Sequence, residues 1–265
     1  MKQYLNLLEH VLENGQSKKS RGIHDIKSTF GYQMRFDLRR GFPILTTKKM
    51  PFRTMVHELL WFISGETNIK SLQKRGIHYW DGFADDNGDL GPVYGHQWRK
   101  WPDYDGGEID QLKNTIEEIK QTPASKAMIV TAWNPAHTAE MRLPPCHMMF
   151  QFNVTKGKLR MQMYQRSADV FLGVPFNITQ YSLLLMMVAQ VTGLEPREYV
   201  HTIGDAHLYK NHLKAAKKQL ERKPKRRPLV KLNPKVKDID HFTVDDFKLI
   251  NYDYHPHIKA DLVII

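Results

Sequence analysis

The chain has one cysteine in 265 residues. No intrachain disulfide can form, and a metal cluster built on several thiolates is excluded. No metal is expected at all. A lone cysteine is most often a small buried hydrophobe. Long apolar runs are also scarce. None approaches the roughly 20 apolar residues needed to cross a bilayer as a helix. The richest, 178–191, is interrupted by Thr179, Gln180, Ser182 and Gln190 and reads as a buried helix. The opening Met1-Lys2-Gln3-Tyr4-Leu5 has no secretory pattern. A cytoplasmic protein with no membrane partner is therefore expected. Repeats, low-complexity tracts and Gly/Ser linkers are missing too, so the simplest parse is one domain over 1–265.

What is present is ordinary for a soluble globular protein: 41% hydrophobic and 25% charged residues. The net charge of +11 points to acidic ligands or nucleic acid. Part of the excess sits in one run, Lys214, Lys217, Lys218, Arg222, Lys223, Lys225, Arg226 and Arg227, broken by Pro224 and ended by Pro228. The plain reading is a solvated helix end and loop. The sharper reading, weak RNA binding, lacks the interleaved aromatics on which bases stack.

Apolar periodicity predicts a helix over 2–14, a nearly all-apolar buried helix over 52–63 stopped by Gly65, and a surface helix over 110–121. Strands are expected at 128–133 and, as a hairpin, at 148–154 and 158–164 around Thr155-Lys156-Gly157. Leu159, Met161 and Met163 alternate with polar residues in its second arm. Short strands are expected near 229–233 and 248–251. The mixture lacks a regular βαβ alternation, which predicts an α/β or α+β fold with a mixed sheet.

Four clusters could carry chemistry. Cys146 follows Pro144-Pro145, which fix the backbone before the thiol. A reactive thiol needs a nearby cation. If the hairpin pairs as expected, Arg166 of Gln165-Arg166-Ser167-Ala168-Asp169 lies close to it; the plain reading of Arg166 is a surface ion pair. Asn177 reads either as the N-cap of the buried helix or as an amide facing a nucleobase edge. His207 and Tyr209 share a face of an extended segment and could bind a sugar hydroxyl, or pack into a polar-edged core.

Together these segments resemble the thymidylate synthase family. The matching stretches are HELLWFISGETNI (57–69), DDNGDLGPVYGHQWR (85–99), LPPCH (143–147), YQRSADVFLGVPFN (164–177), GDAHLYKNH (204–212) and YDYHPHIKA (252–260). The resemblance implies a mixed β-sheet flanked by helices, a homodimer, and one-carbon transfer from 5,10-methylenetetrahydrofolate to C5 of a uracil nucleotide, dUMP. Cys146 would add to C6. Glu58 would organise proton transfers, from a carboxyl whose pKa the apolar helix should raise. Tyr94 would assist removal of the C5 proton, and Asn177 would read the pyrimidine edge. Arg21, Lys126, Gln165, Arg166 and Ser167 belong to the substrate set, most of them at phosphate. His207 and Tyr209 would bind the 3′-hydroxyl. Asp169 and Trp80 would contact the folate and Lys48 its glutamyl tail. The C-terminal tail would close as a lid.

The sequence departs from the family at three places. Two adjacent arginines that cross to the partner's phosphate are here Lys126-Ala127. The family's Arg-Thr-Gly-Thr-Gly-Thr loop is Arg21-Gly22-Ile23-His24-Asp25-Ile26, where His24 or Lys27 could compensate for Asp25. An aromatic position at the folate site, usually Trp, is Phe83. Two of the three touch phosphate recognition. The alternative is therefore a 5-hydroxymethylase of the same family, acting on dUMP, dCMP or CMP. A nucleotide- or RNA-binding protein without catalysis is the reading of a different class.

Overall fold

The computed structural model describes residues 1–20, 22 and 24–264. In chain order the helices are α1 Lys2–Asn14, α2 Phe52–Ile63, α3 Lys70–Gln73, α4 Gly95–Arg99, α5 Gln111–Gln121, α6 Gly173–Thr192 and α7 Leu213–Leu220. The strands are β1 Gln16–Lys18, β2 Ile26–Asp37, β3 Trp101–Pro102, β4 Glu108–Ile109, β5 Ile129–Thr131, β6 His147–Thr155, β7 Lys158–Asp169, β8 Glu195–Tyr209, β9 Leu229–Leu232 and β10 Phe247–Ile250.

The hairpin β6–β7 forms as its residues dictate. Lys156 and Gly157 have φ of 52° and 70°. Two successive positive φ values make the turn whose twist matches the flanking strands. Leu159, Met161 and Met163 then all point into the core. This hairpin belongs to a six-stranded sheet ordered β1-β2-β8-β7-β6-β5. Only β7 and β8 run parallel; a parallel pair needs a crossover, and α6 is it. One hydrophobic core runs under the sheet and takes in α1, α2, α5 and α6.

Two central strands go beyond the expected elements. β2 is interrupted by Gly31 at φ 82°, next to a Phe30 that is 83% exposed. β8 is nearly all buried from Tyr199 to Tyr209, so it shows no alternation to read. The strand expected at 128–133 is shorter, Ile129–Thr131. The short strands near 229 and 248 pair with each other, outside the main sheet.

α6 corrects two expectations. It opens at Gly173, so Asn177 sits in its second turn and is not an N-cap. At 20 residues it is also long and apolar enough to cross a membrane by length and composition. Most of it is buried in the protein instead, as a core helix between the sheet and α2. Its end is set by Gly193 in the left-handed region.

The register of three strands positions everything that follows. His147 lies opposite Gln165. Ser167 lies opposite Asp205 and Asp169 opposite His207. Clusters far apart in sequence thus meet at one end of β6, β7 and β8.

Candidate active site

A cavity of about 430 Å³ opens at that end of the sheet. Its walls come from α2, α6, the three strand ends, the 79–94 segment and the C-terminal tail. Of the expected site residues, Cys146, Glu58, Tyr94, Asn177, Asp169, Gln165, Ser167, His207, Tyr209, Lys48 and Trp80 all line it.

Cys146 sits half-buried just before β6. Its backbone is held from both sides. Its N–H donates to the Tyr94 hydroxyl at 3.1 Å, and its carbonyl accepts from the Arg166 N–H at 2.8 Å. Arg166 is beside the cysteine, as the pairing predicted, but it does not make the surface ion pair of the plain reading. Its Nε and Nη2 donate to the carbonyls of Pro145 (2.9 Å) and Pro144 (2.7 Å). The guanidinium lies over Trp133, 5.4 Å from the ring centre. Arg166 therefore clamps the Pro-Pro approach to the thiol, and its guanidinium is not part of the cavity wall.

Tyr94 reaches Cys146 from the start of α4 in a backbone conformation that side chains rarely adopt, φ 37°. Such conformations cost about 1–3 kcal/mol and cluster at functional sites. Gly95 explains how the segment gets there. A Cβ at this position would meet the Phe62 carbonyl oxygen at 1.9 Å, so only glycine allows α4 to press against α2. The buried Tyr94 ring stacks on His147 with centres 4.2 Å apart. Burial raises its phenol well above the usual range, and the neighbouring Cys146 adds to the shift.

Glu58 is the buried carboxyl of α2, 5% exposed. It accepts from Trp80 Nε1 at 2.6 Å and Gln180 Nε2 at 2.5 Å. Burial raises its pKa, and the donors Gln180, Trp80 and Tyr79 oppose that rise without cancelling it. The expected raised carboxyl is therefore present. The Tyr79 hydroxyl adds its influence without a well-formed hydrogen bond of its own.

Asn177 and Gln165 form an amide pair in the floor: Gln165 Nε2 donates to Asn177 Oδ1 at 3.1 Å. On the β8 side, His207 and Tyr209 meet edge to face at 5.3 Å. His207 Nδ1 is 3.1 Å from Asp205, which also pairs with Lys18. Lys48 is not a surface cation. It is 3% exposed, donates to the Phe171 carbonyl at 2.6 Å and lies 3.8 Å from the Phe171 ring centre. Burial pushes its pKa down to about 7, with the Asp169 carboxylate opposing. Asp169 itself accepts from the N–H groups of Phe171 and Leu172, at 2.9 and 3.2 Å. It fixes the turn into α6.

A planar folate ring system with acidic groups at its far end fits the remaining wall. Trp80, Phe83, Leu143 and Phe176 provide flat apolar surface, and the exposed Lys49 provides a cation, whereas the expected Lys48 is buried on the Phe171 carbonyl. Ala260, Leu262 and Val263 of the tail also line the cavity. Ile264 packs on Gly82 where any Cβ would clash. The tail is anchored by Arg222, which donates to the carbonyls of Thr47 (2.8 Å) and Pro256 (2.6 Å), and by His212 on the Asp261 carbonyl at 2.8 Å.

The phosphate positions are not gathered in the same way. Arg21 and Ile23 lie outside the described residues. Lys126 is exposed beside β5, away from the cavity. Lys27, a candidate to compensate, donates to the Leu12 carbonyl at 2.6 Å. Asp25 is neutralised by Lys210 at 3.0 Å. Within the basic run, Arg222, Lys225 and Arg227 have partners inside the protein. That leaves Lys214, Lys217, Lys218, Lys223 and Arg226 exposed.

Four residues of the site escaped the sequence reading: Gln180, Tyr79, His147 as a wall of the cavity, and His201 beneath it. The available signal for Gln180 was a polar side chain inside an apolar helix. His201 and Tyr79 carried none. Among the described residues no group of His, Cys, Asp and Glu could hold a metal ion. Comparison with known families gives a match to thymidylate synthase over residues 2–264. With a match of that span, the chain belongs to the thymidylate synthase family.

Proposed function

We propose that this chain is a thymidylate synthase proper, methylating dUMP at C5 to give dTMP through a Cys146 adduct at C6. The family transfers a one-carbon unit from methylenetetrahydrofolate to a pyrimidine nucleotide. The observation that carries the finer reading is the convergence of Cys146, Glu58, Tyr94 and Asn177 on one cavity. When bound, methylenetetrahydrofolate supplies the one-carbon unit and, in the synthase reaction, the hydride that reduces it to methyl.

The chain's own residues do the rest. The Cys146 sulfur attacks C6, which places a carbanion equivalent at C5. The Pro-Pro clamp made by Arg166 and the Tyr94 hydroxyl on the Cys146 N–H hold the sulfur in position. Glu58, a carboxyl with a raised pKa, exchanges protons with the pyrimidine through water. Tyr94, one hydrogen bond from the Cys146 backbone, assists loss of the C5 proton. Asn177 faces the pyrimidine edge, Ser167 the phosphate, and His207 with Tyr209 the 3′-hydroxyl. The apolar tail over the cavity excludes water, which favours hydride over water at the exocyclic carbon.

A homodimer fits the same reading. On the sheet, Gln33 and Gln162 both donate to the Thr202 hydroxyl, and β2 also carries the exposed Phe30. In such a dimer Lys126 would stand where the family places arginines that cross to the partner's phosphate. The second reading, a 5-hydroxymethylase, keeps every residue role and replaces hydride by water; the altered positions Lys126-Ala127 bear on which nucleotide is held and not on that choice.

The test is incubation with dUMP and methylenetetrahydrofolate. Dihydrofolate with dTMP is expected. Tetrahydrofolate with a hydroxymethyl nucleotide would establish the second reading instead. No turnover of dUMP, dCMP or CMP would sink both.

A further inference from the structure

Tyr79 places a buried hydroxyl in the cavity that no step of the one-carbon transfer requires. Its ring lines the cavity wall. It packs edge to face on Phe176 at 5.8 Å and tilted against Trp80 at 6.5 Å. Its oxygen is sealed from solvent and has no hydrogen-bond partner among the described residues. A buried polar group left so costs free energy and calls for a reason. The group within its reach is the Glu58 carboxyl.

Both oxygens of Glu58 already face donors. Oε1 accepts from Trp80 Nε1 and Oε2 from Gln180 Nε2. Neither donor can accept in return. An indole N–H only donates. The Gln180 amide is held the same way round by its second contact, Nε2 to the Met55 carbonyl at 3.2 Å, since a carbonyl only accepts. This arrangement suits ionised Glu58. It fails protonated Glu58, whose O–H would meet two N–H groups and no acceptor. A hydroxyl both donates and accepts. Of the three groups around the carboxyl, Tyr79 alone can accept from the acid and donate to the carboxylate. Burial raises the Tyr79 phenol well above its usual range, and Glu58 adds to the shift. The phenol therefore turns its hydrogen and does not lose it.

The other titratable groups around Glu58 do not duplicate this. Across the cavity, the Tyr94 hydroxyl accepts from the Cys146 N–H. His147 is neutral, its pKa pushed by burial down to about 3, and its Nδ1 lies 2.6 Å from the Tyr181 hydroxyl. His57, next to Glu58 on α2, faces a separate pocket with Arg75. The charges packed against α2 are spent at its two ends. Arg53 pairs with Asp245, and Arg99, on the Ile63 carbonyl, pairs with Asp110 and Asp240.

We propose that Tyr79 is a positioning residue for the proton transfers of Glu58: its hydroxyl follows the Glu58 proton, accepting from the acid and donating to the carboxylate, and so holds the group in place in both states. This rests on the proton-exchange role given to Glu58 above. The proton itself passes between Glu58 and water, and Tyr79 keeps its own. A donor aimed at a carboxylate favours the ionised form, so Tyr79 works against the rise that burial imposes on Glu58.

Two measurements test this. The first needs no substrate. Infrared titration of the ligand-free protein follows the Glu58 carboxyl, with Glu58→Gln to assign its signal. Tyr79→Phe keeps the ring and removes only the oxygen. It should raise the Glu58 pKa by about one unit or more, the scale of one hydrogen bond to a charged group. Fluorotyrosine in place of Tyr79, a stronger donor at the same point, should lower it. A folded Tyr79→Phe protein with Glu58 unmoved or lowered overturns the proposal, as does a fluorinated protein that shifts in the same direction as Tyr79→Phe. The second measurement is the pH profile of kcat with dUMP and methylenetetrahydrofolate. In Tyr79→Phe the Glu58 limb should move to higher pH by the same amount, with the nucleotide KM unchanged. A limb that stays in place overturns the role in proton transfer. A parent protein that turns over no pyrimidine nucleotide overturns the catalytic reading and that role together; the ligand-free titration separates this from a failure of the pairing between Tyr79 and Glu58.

Discussion

The inner end of the cavity and the expected phosphate end are built by different means. At the inner end Cys146, Glu58, Gln165 and Asn177 hang on strands and helices. Each is held by a partner distant in sequence: Tyr94, Gln180, His201 and Gln165 respectively. At the expected phosphate end, Asp25, Lys126 and Ala127 lie outside the strands and helices, and the neighbouring cations Lys27 and Lys210 serve other groups. Lys27 holds α1 by the Leu12 carbonyl, and Lys210 cancels Asp25. Changing one member of a buried hydrogen-bonded set leaves its partner unsatisfied, at about 1–3 kcal/mol. Changing an exposed loop residue such as Lys126 costs within about 0.5 kcal/mol. The chemistry is therefore tied to the fold, and phosphate handling can vary almost independently of it.

The sharpest way to break this comparison is at the nucleophile. Cys146→Ala should lower turnover by about 10⁴-fold or more, as loss of a covalent nucleophile does. Nucleotide affinity, measured by calorimetry, should stay close to that of the parent. Retained turnover would refute the assignment of Cys146. Next in size is Glu58→Gln, which should lower kcat by about 10²–10⁴-fold, the range for a general acid–base group. The nucleotide KM should move little. Glu58 is raised by burial, so the parent's kcat should show a titration above the usual carboxylate range near ~4.3. That limb should vanish in the variant. If it persists, another group carries the proton.

How much of this was legible in the sequence follows the same division. α1, α2, α5 and the β6–β7 hairpin declare themselves by local periodicity and turn chemistry, which need only neighbours in the chain. β8 does not. It is buried on both faces, so its pattern is a run of mixed residues with no period. β2 is cut by Gly31 and loses its alternation there. The site behaves likewise. Cys146, Asn177 and His207 sit in recognisable motifs, but Gln180 and His201 are tied to the site by partners 122 and 36 residues away. Pairings of single polar residues across such distances leave no local trace.

Lys48 sharpens the comparison from a third side, since it is buried like the inner end yet charged like the outer. Its ammonium titrates near ~10.4 in an unfolded chain and at about 7 in the folded protein. A depressed ammonium destabilises the fold wherever it must stay charged. The penalty is absent above the unfolded pKa, grows as pH falls toward 7, and is complete below that. Lys48→Met should therefore gain stability over the parent by about 1.4 kcal/mol per pH unit as pH falls from ~10 to ~7, then level off. Loss of the Phe171 contacts shifts the whole curve without changing its slope. Urea unfolding at pH 6, 7, 8.5 and 10 measures it, and a pH-independent difference would contradict a buried, depressed Lys48.

The smallest expected effect lies at the exposed end. Lys126→Arg combined with Ala127→Arg restores the two adjacent cations that the family places there. Both positions are exposed. The hydrogen bonds already made at them use backbone atoms, Gln151 on the Lys126 carbonyl and the Ala127 N–H on Ser125. The side chains can thus change without disturbing β5. Arginine adds bidentate geometry that a lysine point charge lacks. The nucleotide KM should fall about tenfold, equivalent to one charge-assisted hydrogen bond, with kcat unchanged. The gain should shrink at high salt, because exposed charges are screened within about 10 Å at 0.1 M. In the proposed homodimer it also requires the partner subunit, since Lys126 does not line its own cavity. Dilution below the dissociation range of the proposed dimer should erase the gain. A drop in KM that survives in the monomer would mean that the pair acts within its own chain and that the dimer has no part in phosphate binding.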